Sequence, residues 1–177
     1  MQFTFETLYN QKSLSVMAKC IRKTVRKKRS KRSHIYGWIV FVLALLLSFS
    51  SGDEGFVIDS GKIITCIAAL AILIALIFED KLNGYFAKKR LLPGTEKAAS
   101  TFDTENTDSF NFATAVGKSE FSYDKIVLIA ETPVYFVFVF SSSHAQIYDK
   151  NNLSGGSVDE FRKFISEVTN KEIITVK

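Results

Sequence analysis

The sequence predicts an α+β membrane protein, in which a two-helix transmembrane hairpin precedes a small antiparallel β-domain closed by a C-terminal helix. Three observations carry this prediction. Two uncharged apolar runs lie close together, at residues 35–51 and 63–78. From about residue 100, apolar and polar residues alternate repeatedly, as they do in strands. The segment 157–171 then changes to the apolar period of a helix.

Length and charge limit the classes of function. A chain of 177 residues has room for one compact domain, or for a small domain together with a membrane anchor. Residues 1–90 hold 15 of the 23 Lys and Arg residues but only 6 of the 18 Asp and Glu residues, so the C-terminal half is mildly acidic. Because the positive charge lies in one arm beside an apolar run, it favours a membrane flank over nucleic-acid binding. We predict no nucleic-acid partner.

Residues 1–34 predict a short strand and a basic amphipathic helix. Residues 3–6 alternate like a strand. From about residue 11, apolar residues at helical spacing form one stripe: Leu14, Met17, Ala18, Ile21 and Val25. Two interpretations of the stripe remain open at this point. The helix lies on an anionic membrane surface, or it packs on the protein's own domain.

The two apolar runs predict a transmembrane hairpin over residues 35–78, with a link at residues 52–62. Each run gives roughly 25 Å of helix, slightly less than the hydrocarbon core of about 30 Å. Flanking side chains therefore have to extend the spans. Aromatic and long cationic side chains do this at membrane borders, and we predict these interface anchors: Tyr36, Trp38, Lys62 and Lys81.

Two alternatives to the hairpin are disfavoured. A helical hairpin buried in a soluble domain would carry a polar stripe where it meets solvent, and neither run has one. A cleaved signal peptide does not fit either, because 34 residues precede the first run and a second apolar run follows it.

The distribution of basic residues predicts the orientation. The link carries only Lys62, whereas both outer flanks are rich in Lys and Arg. The positive-inside rule then places both termini in the cytoplasm, with the link outside. We predict that the basic run contacts the anionic inner leaflet through these residues: Arg22, Lys23, Arg26, Lys27, Lys28, Arg29, Lys31 and Arg32.

After the hairpin, Gly84, Pro93 and Gly94 interrupt residues 79–99, which predict a juxtamembrane linker containing a turn or a short helix.

Residues 100–177 predict a cytoplasmic β-domain. Its first hairpin has strands at 110–116 and 119–123 around a Gly117-Lys118 turn. The second hairpin has strands at 125–131 and 134–140 around Thr132-Pro133, and a further strand covers 144–148.

The strand at 134–140 and the last segment predict how the domain is layered. Both faces of this strand are apolar, which is typical of a central strand covered on both sides. Ser157 and Glu160 form a capping box ahead of a helical apolar stripe. We expect this helix to cover one face of the sheet, and the N-terminal segment is the candidate for the other face.

The sequence offers no catalytic constellation, and we predict a non-enzymatic protein without cofactor, catalytic residues or metal site. His34 and His144 have no neighbouring carboxylate or cysteine at ligand spacing. Cys20 and Cys66 lack the CxxC pattern of metal and redox sites, so we expect two free thiols.

Two stretches resemble the YcxB-like family of bacterial membrane proteins. Residues 119–140, SEFSYDKIVLIAETPVYFVFVF, are similar to the family's strand, Tyr-Asp-x-Ile step, acidic turn and aromatic strand. Residues 157–168, SVDEFRKFISEV, are similar to its closing helix. Where relatives commonly have Pro-Lys, this chain has Asp149-Lys150. The resemblance implies a C-terminal domain related to bacterial pleckstrin-homology-like folds, and it implies no activity.

Together these observations predict a membrane-anchored protein whose cytoplasmic pleckstrin-homology-like domain binds a protein, peptide or lipid partner. The alternative is self-immunity against a membrane-active bacteriocin, because some small bacterial membrane proteins with domains of this kind resemble bacteriocin self-immunity factors. The sequence indicates neither the ligand nor the oligomeric state, and it leaves open whether the N-terminal strand joins the C-terminal sheet.

Overall fold

The structure is a computed structural model that describes residues 1–49 and 59–177. The predicted link at 52–62 lies mostly outside the described residues. The helices are α1 (Gln11–Lys23), α2 (Lys27–Phe49), α3 (Ser60–Ile77), α4 (Glu79–Lys89) and α5 (Val158–Thr169). The strands are β1 (Gln2–Leu8), β2 (Lys97–Asp103), β3 (Ser109–Thr114), β4 (Gly117–Ser122), β5 (Leu128–Glu131), β6 (Tyr135–Val139), β7 (Ala145–Asp149), β8 (Leu153–Ser154) and β9 (Ile173–Thr175). The predicted α+β class is confirmed.

The first sheet has the antiparallel strand order β4-β3-β2-β1-β8. Strand β1 pairs with β2 along its whole length, from Gln2 opposite Asp103 to Leu8 opposite Lys97. The apolar hairpin lies between these two strands in sequence. The segment before the hairpin therefore completes the sheet that forms after it, which sequence reasoning left open.

The second sheet has the order β7-β6-β5-β9, in which β9 runs parallel to β5 and the other pairs are antiparallel. Its central strand β6 is buried on both faces, as the sequence predicted. Phe136 and Phe138 point into one apolar cluster, and Val137 and Val139 into another. The exclusion of water from both faces stabilises this strand.

Phenylalanine rings fill the space between the two sheets. The Phe102 and Phe138 ring centroids, one from each sheet, lie 5.9 Å apart. Phe161 of α5 lies 4.7 Å from Phe5 and 5.4 Å from Phe136, so α5 packs against both sheets. Helix α5 begins at the predicted capping box of Ser157 and Glu160.

The other face of the second sheet is covered by α1. Cys20 and Ile21 pack there with Val137 and Ile147, and the partly buried Met17 extends the contact. Helix α4 also packs against α1. The apolar stripe of α1 therefore packs on the protein itself, which favours the second of the two interpretations.

Helices α2 and α3 are long and apolar enough to cross a membrane, with mean hydropathies of 1.6 and 2.3 over an apolar stretch of 18 residues in each helix. Only 6% of the residues in each of these stretches are buried within the protein. The two helices lie close together at Gly37, where an added Cβ would be only 2.6 Å from Leu76 Cδ2. Such exposed apolar surface matches the lipid-facing side of a hairpin and disagrees with a hairpin buried in a soluble core.

Several element boundaries differ from the sequence prediction. Helix α2 begins at Lys27 rather than at residue 35, because Lys and Arg are good helix formers and continue the helix into the basic run. The first β-hairpin turns at Ala115 and Val116, whereas Gly117 already pairs with Thr114. A tertiary hydrogen bond from Ala115 N–H to the Gly94 carbonyl supports this turn, at 3.2 Å.

Segment 79–99 contains helix α4, and Gly84 lies in the middle of that helix rather than at a break. We expect Gly84→Ala to destabilise the fold by about 1–3 kcal/mol. A Cβ there would lie 2.1 Å from Ser15 Oγ and 2.7 Å from its main-chain nitrogen, so α4 would have to move away from α1. Thermal unfolding of the full chain in detergent measures the effect.

Gly117→Ala is the matched control, since a Cβ at that position has nothing within 4 Å. We expect a change of no more than about 0.5 kcal/mol for it. A stabilisation by Gly84→Ala, as helix propensity alone would give, would contradict the close α1–α4 contact.

Candidate functional site

The eight basic residues predicted to contact the membrane surface form one continuous region, which we call the basic border: Arg22, Lys23, Arg26, Lys27, Lys28, Arg29, Lys31 and Arg32. The end of α1, a short turn and the first turns of α2 carry them. The turn is closed by hydrogen bonds from Thr24 N–H to the Cys20 carbonyl and from Arg26 N–H to the Ile21 carbonyl. The basic border thus joins the folded domain to the apolar hairpin.

Two residues of the basic border bind other parts of the chain. Arg22 forms a bidentate ion pair with Asp80 of α4, with Nε–Oδ1 and Nη2–Oδ2 distances of 2.7 and 2.6 Å. The hydrogen bond to Asp80 raises the pKa of the Arg22 guanidinium above its ordinary value. Lys23 Nζ donates to the main-chain oxygen of Lys177, at 2.6 Å. These contacts hold α1 against α4 and the C-terminus.

A second side-chain contact ties α2 to the start of α4. His34 Nε2 lies 2.7 Å from Glu79 Oε2, and Arg22 Nε lies 3.6 Å from the same carboxylate oxygen. Three helices therefore meet at one charged cluster, immediately beside the apolar part of the hairpin. This arrangement fixes the direction in which the hairpin leaves the domain.

The remaining members of the basic border are exposed: Arg26, Lys27, Lys28, Arg29, Lys31 and Arg32. Helix α2 has no acidic residue in its first turn. The helix dipole favours anions at this end, so a cluster of cations here raises the local positive potential further. An external anion would relieve this repulsion.

A cleft of about 380 Å³ opens beside the basic border. Its walls are α1, the start of α2, α4 and the loop between β6 and β7. Apolar residues such as Met17 and Phe86 form part of its lining, and Arg22, Arg26, Arg29 and Arg90 also reach it. The cleft thus combines an apolar surface with several guanidinium groups.

The predicted interface anchors lie close to where the apolar runs begin or end. Tyr36 is 67% exposed and Trp38 is 46% exposed on α2. Lys62 is in the first turn of α3, which is capped by the Asp59 side chain accepting from Lys62 N–H at 2.8 Å. The Lys81 ammonium lies 5.4 Å from the centre of the Phe78 ring. Their role as anchors stays a prediction.

A further charged cluster lies in the β-domain. Glu131 binds Lys150 Nζ at 2.5 Å and accepts from Arg162 Nη2 at 2.6 Å. The Lys150 and Glu131 side chains are only 10% and 13% exposed. Lys150 Nζ also donates to the Thr132 carbonyl and lies 4.6 Å from the centre of the Phe136 ring. This cluster ties β5, the end of β7 and α5 together.

The part of the chain that holds this cluster matches one family model. Residues 106–165 match the family of YcxB-like proteins. The match runs from just before β3 into α5 and includes Glu131, Lys150 and Arg162. No curated protein and no solved structure matches the chain significantly.

The YcxB-like resemblance expected from the sequence is confirmed over these residues, whereas the relation to pleckstrin-homology-like folds stays a prediction. The Asp149-Lys150 departure has a physical consequence. Asp149 N–H donates to Thr7 Oγ1 at 3.1 Å and ties β7 to β1. A proline at position 149 could not supply this N–H.

Sequence reasoning missed both charged clusters. Asp80 lies 58 residues from Arg22, and Arg162 lies 31 residues from Glu131, so no local spacing indicates either pair. The one available signal was Glu131 itself, an acidic residue between two apolar strands. Within the part of the chain that the structure describes, no group of three His, Cys, Asp or Glu is placed to hold a metal ion.

Proposed function

We propose that this protein is a non-enzymatic, membrane-anchored binding protein of the bacterial inner membrane, with both termini in the cytoplasm. Its hairpin anchors the folded domain, and the basic border holds that domain against the anionic inner leaflet. A lipid headgroup is the partner that the geometry supports best. A protein or peptide could use the remaining exposed surface of the domain.

One observation carries this proposal. Strand β1 and helix α1 precede the hairpin, yet they pack into the domain that follows it. Both ends of the hairpin therefore enter the same folded unit. With two apolar helices between them, this favours a topology in which the termini share one side of the membrane.

Electrostatics supports the choice of the inner leaflet. Six cations of the basic border are exposed at the end of the hairpin that joins the domain. Each Lys or Arg near an anionic surface contributes roughly 1 kcal/mol of attraction. The sum is enough to hold the border against the leaflet without a shaped pocket.

Membrane fractionation tests the anchor. We expect the full chain to stay in the membrane pellet after washing with high salt and with alkaline carbonate, because the hairpin buries its apolar surface in lipid. Arg26→Gln together with Arg29→Gln is the matched variant, and it should stay in the pellet as well. Release of the unaltered chain by either wash would contradict the hairpin, since surface electrostatics alone is salt-sensitive.

The self-immunity hypothesis stays a prediction, since no feature of the described residues specifically favours it. A killing assay with a sensitive bacterial strain expressing this chain checks it. Unchanged sensitivity to several membrane-active peptides would count against that role.

A further inference from the structure

The cleft beside the basic border has a composition that a merely electrostatic flank does not require. It has a volume of about 380 Å³ and is lined by four arginines, although lysines outnumber arginines in the neighbouring sequence. Lysine would serve equally well for general attraction to an anionic surface. Guanidinium groups differ in forming paired, directional hydrogen bonds with phosphate oxygens.

Three of the four arginines have no carboxylate partner among the residues that the structure describes. Arg22 is engaged by Asp80, and Glu79, the carboxylate on the cleft wall, is engaged by His34. Among residues 1–49 and 59–177, no Asp or Glu oxygen lies within 4 Å of a guanidinium nitrogen of Arg26, Arg29 or Arg90. The cleft therefore presents uncompensated positive charge from two directions, α4 and the α1–α2 junction.

The rest of the lining suits the parts of a lipid next to its phosphate. Hydroxyl groups come from Ser30 and Ser33 on α2 and from Ser142 and Ser143 in the β6–β7 loop. The apolar side consists of residues from α1 and α4, including Ile21 and Phe86. Phe86 is 51% exposed, so its ring extends from the cleft toward the outside of the protein.

The position of the cleft agrees with this chemistry. One wall is the start of α2, whose apolar part begins at residue 35, and another is α4, which follows α3 directly. Both walls thus lead into the helices that are long and apolar enough to cross a membrane. A headgroup in the cleft would keep its acyl chains on the side of the hairpin.

We propose that this cleft binds the phosphate of an anionic phospholipid headgroup, held between Arg26 and Arg29 on one side and Arg90 on the other. The inference rests on the proposed function, because it requires the hairpin to lie in a bilayer. It goes further by replacing a diffuse attraction with a defined site. The bound phosphate would also relieve the positive charge at the start of α2.

The test compares two triple variants that remove the same charge from the same region. Arg26→Gln, Arg29→Gln and Arg90→Gln alter the cleft. The control variant has Lys12→Gln, Lys88→Gln and Lys89→Gln, at exposed positions of α1 and α4 that neither line the cleft nor belong to the basic border. Each full-length protein is purified in nanodiscs of phosphatidylcholine with or without phosphatidylglycerol, and retained phosphatidylglycerol is counted by native mass spectrometry.

We expect the cleft variant to lose at least about tenfold in retained phosphatidylglycerol relative to phosphatidylcholine, whereas the control variant loses less than about twofold. Equal losses in both variants would overturn the site and leave only general electrostatics. A third variant, with Arg→Lys at the three cleft positions, keeps the charge, and we expect it to lose retention as well. Full retention there would overturn arginine-specific recognition.

A further arm distinguishes the lipid from a soluble phosphate. Glycerol 1-phosphate is added at millimolar concentration to the phosphatidylglycerol nanodiscs. We expect no displacement of the lipid, because the soluble compound lacks the apolar contact. Displacement would overturn the lipid assignment in favour of a small phosphate ligand.

Failure of this inference and failure of the proposed function give different results. A cleft variant that resists carbonate and keeps the thermal unfolding of the unaltered protein, yet retains lipid normally, refutes the site alone. Release of the unaltered protein by carbonate refutes the anchor on which the site depends.

Discussion

Phe5→Ala is expected to destabilise the β-domain by about 3–5 kcal/mol, although residue 5 is separated from that domain by the whole apolar hairpin. The Phe5 side chain is 0% exposed. Its ring lies 4.7 Å from Phe161 and 5.8 Å from Phe102, between the two sheets and α5. Truncation removes these contacts and leaves a cavity that the rigid sheets close only partly. Chemical unfolding of the full chain in detergent, followed by tyrosine fluorescence, measures the loss.

Leu8→Ala is the matched control on the same strand, because Leu8 is 55% exposed. We expect it to change the free energy of unfolding by no more than about 0.5 kcal/mol. If Phe5→Ala were as mild as this control, β1 would not belong to the core and the domain would consist of the C-terminal residues alone.

Glu131→Gln is expected to destabilise the fold by about 3–5 kcal/mol, because it breaks a nearly buried set of ion pairs. Lys150 would keep a positive charge with a side chain only 10% exposed, and Arg162 would lose its main partner. A double variant, Glu131→Gln with Lys150→Met, should recover part of the loss by removing the unpaired charge. The midpoint of urea unfolding compares the stability of the unaltered protein, the single variant and the double variant.

Glu167→Gln is the control for this cluster, since its carboxylate lies 3.9 Å from Lys163 and both side chains are largely exposed. We expect a change below about 0.5 kcal/mol, as for most exposed helix pairs. A similar small effect of Glu131→Gln would show that the cluster contributes nothing beyond an ordinary surface ion pair.

The same cluster predicts how stability depends on pH. Burial raises the pKa of the Glu131 carboxyl, but hydrogen bonds from Arg162 and Lys150 outweigh it and hold the pKa below its ordinary value. A lowered folded-state pKa means that the stabilisation is fully present above the ordinary glutamate pKa of about 4.3 and is lost as pH falls through the lowered pKa. Melting temperatures between pH 7 and pH 3 should therefore converge for the unaltered protein and Glu131→Gln. A constant difference over this range would contradict the ion pairs.

Local patterns in the sequence were sufficient for elements whose buried faces are clearly apolar. The capping box at Ser157 and the apolar stripe that follows it predicted α5. The two apolar faces of β6 predicted a strand covered on both sides. In such segments burial and hydrogen bonding depend on neighbours in sequence, so periodicity alone is informative.

Elements that depend on distant partners escaped prediction. Strand β2 alternates correctly, but its buried positions include the small residues Ala98 and Ser100, which give a weak pattern. Strand β9 spans only Ile173–Thr175 and forms by pairing with β5. Of the candidate site, the basic border was evident from the sequence, whereas Arg90 became part of the cleft only through the packing of α4 on α1.

Strand β1, before the hairpin, pairs with β2, after it, so both ends of the hairpin join one domain. Thr4 faces Thr101 across β1 and β2, and paired residues in antiparallel strands have Cα atoms about 4.5–5.5 Å apart, within disulfide range. Oxidative cross-linking of a Thr4→Cys, Thr101→Cys variant in intact membranes, with Cys66→Ala to remove the exposed thiol, measures this pairing directly.

Two further pairs calibrate the cross-linking experiment. Asn111→Cys with Glu120→Cys links neighbouring strands of one β-hairpin and should form a disulfide in any topology. Thr4→Cys with Lys118→Cys spans β1 and β4, which are separated by β2 and β3, and should not cross-link. We predict an intramolecular disulfide between positions 4 and 101 at the efficiency of the Asn111–Glu120 pair. Its absence, while the Asn111–Glu120 pair cross-links, would contradict the claim that both ends of the hairpin enter one domain.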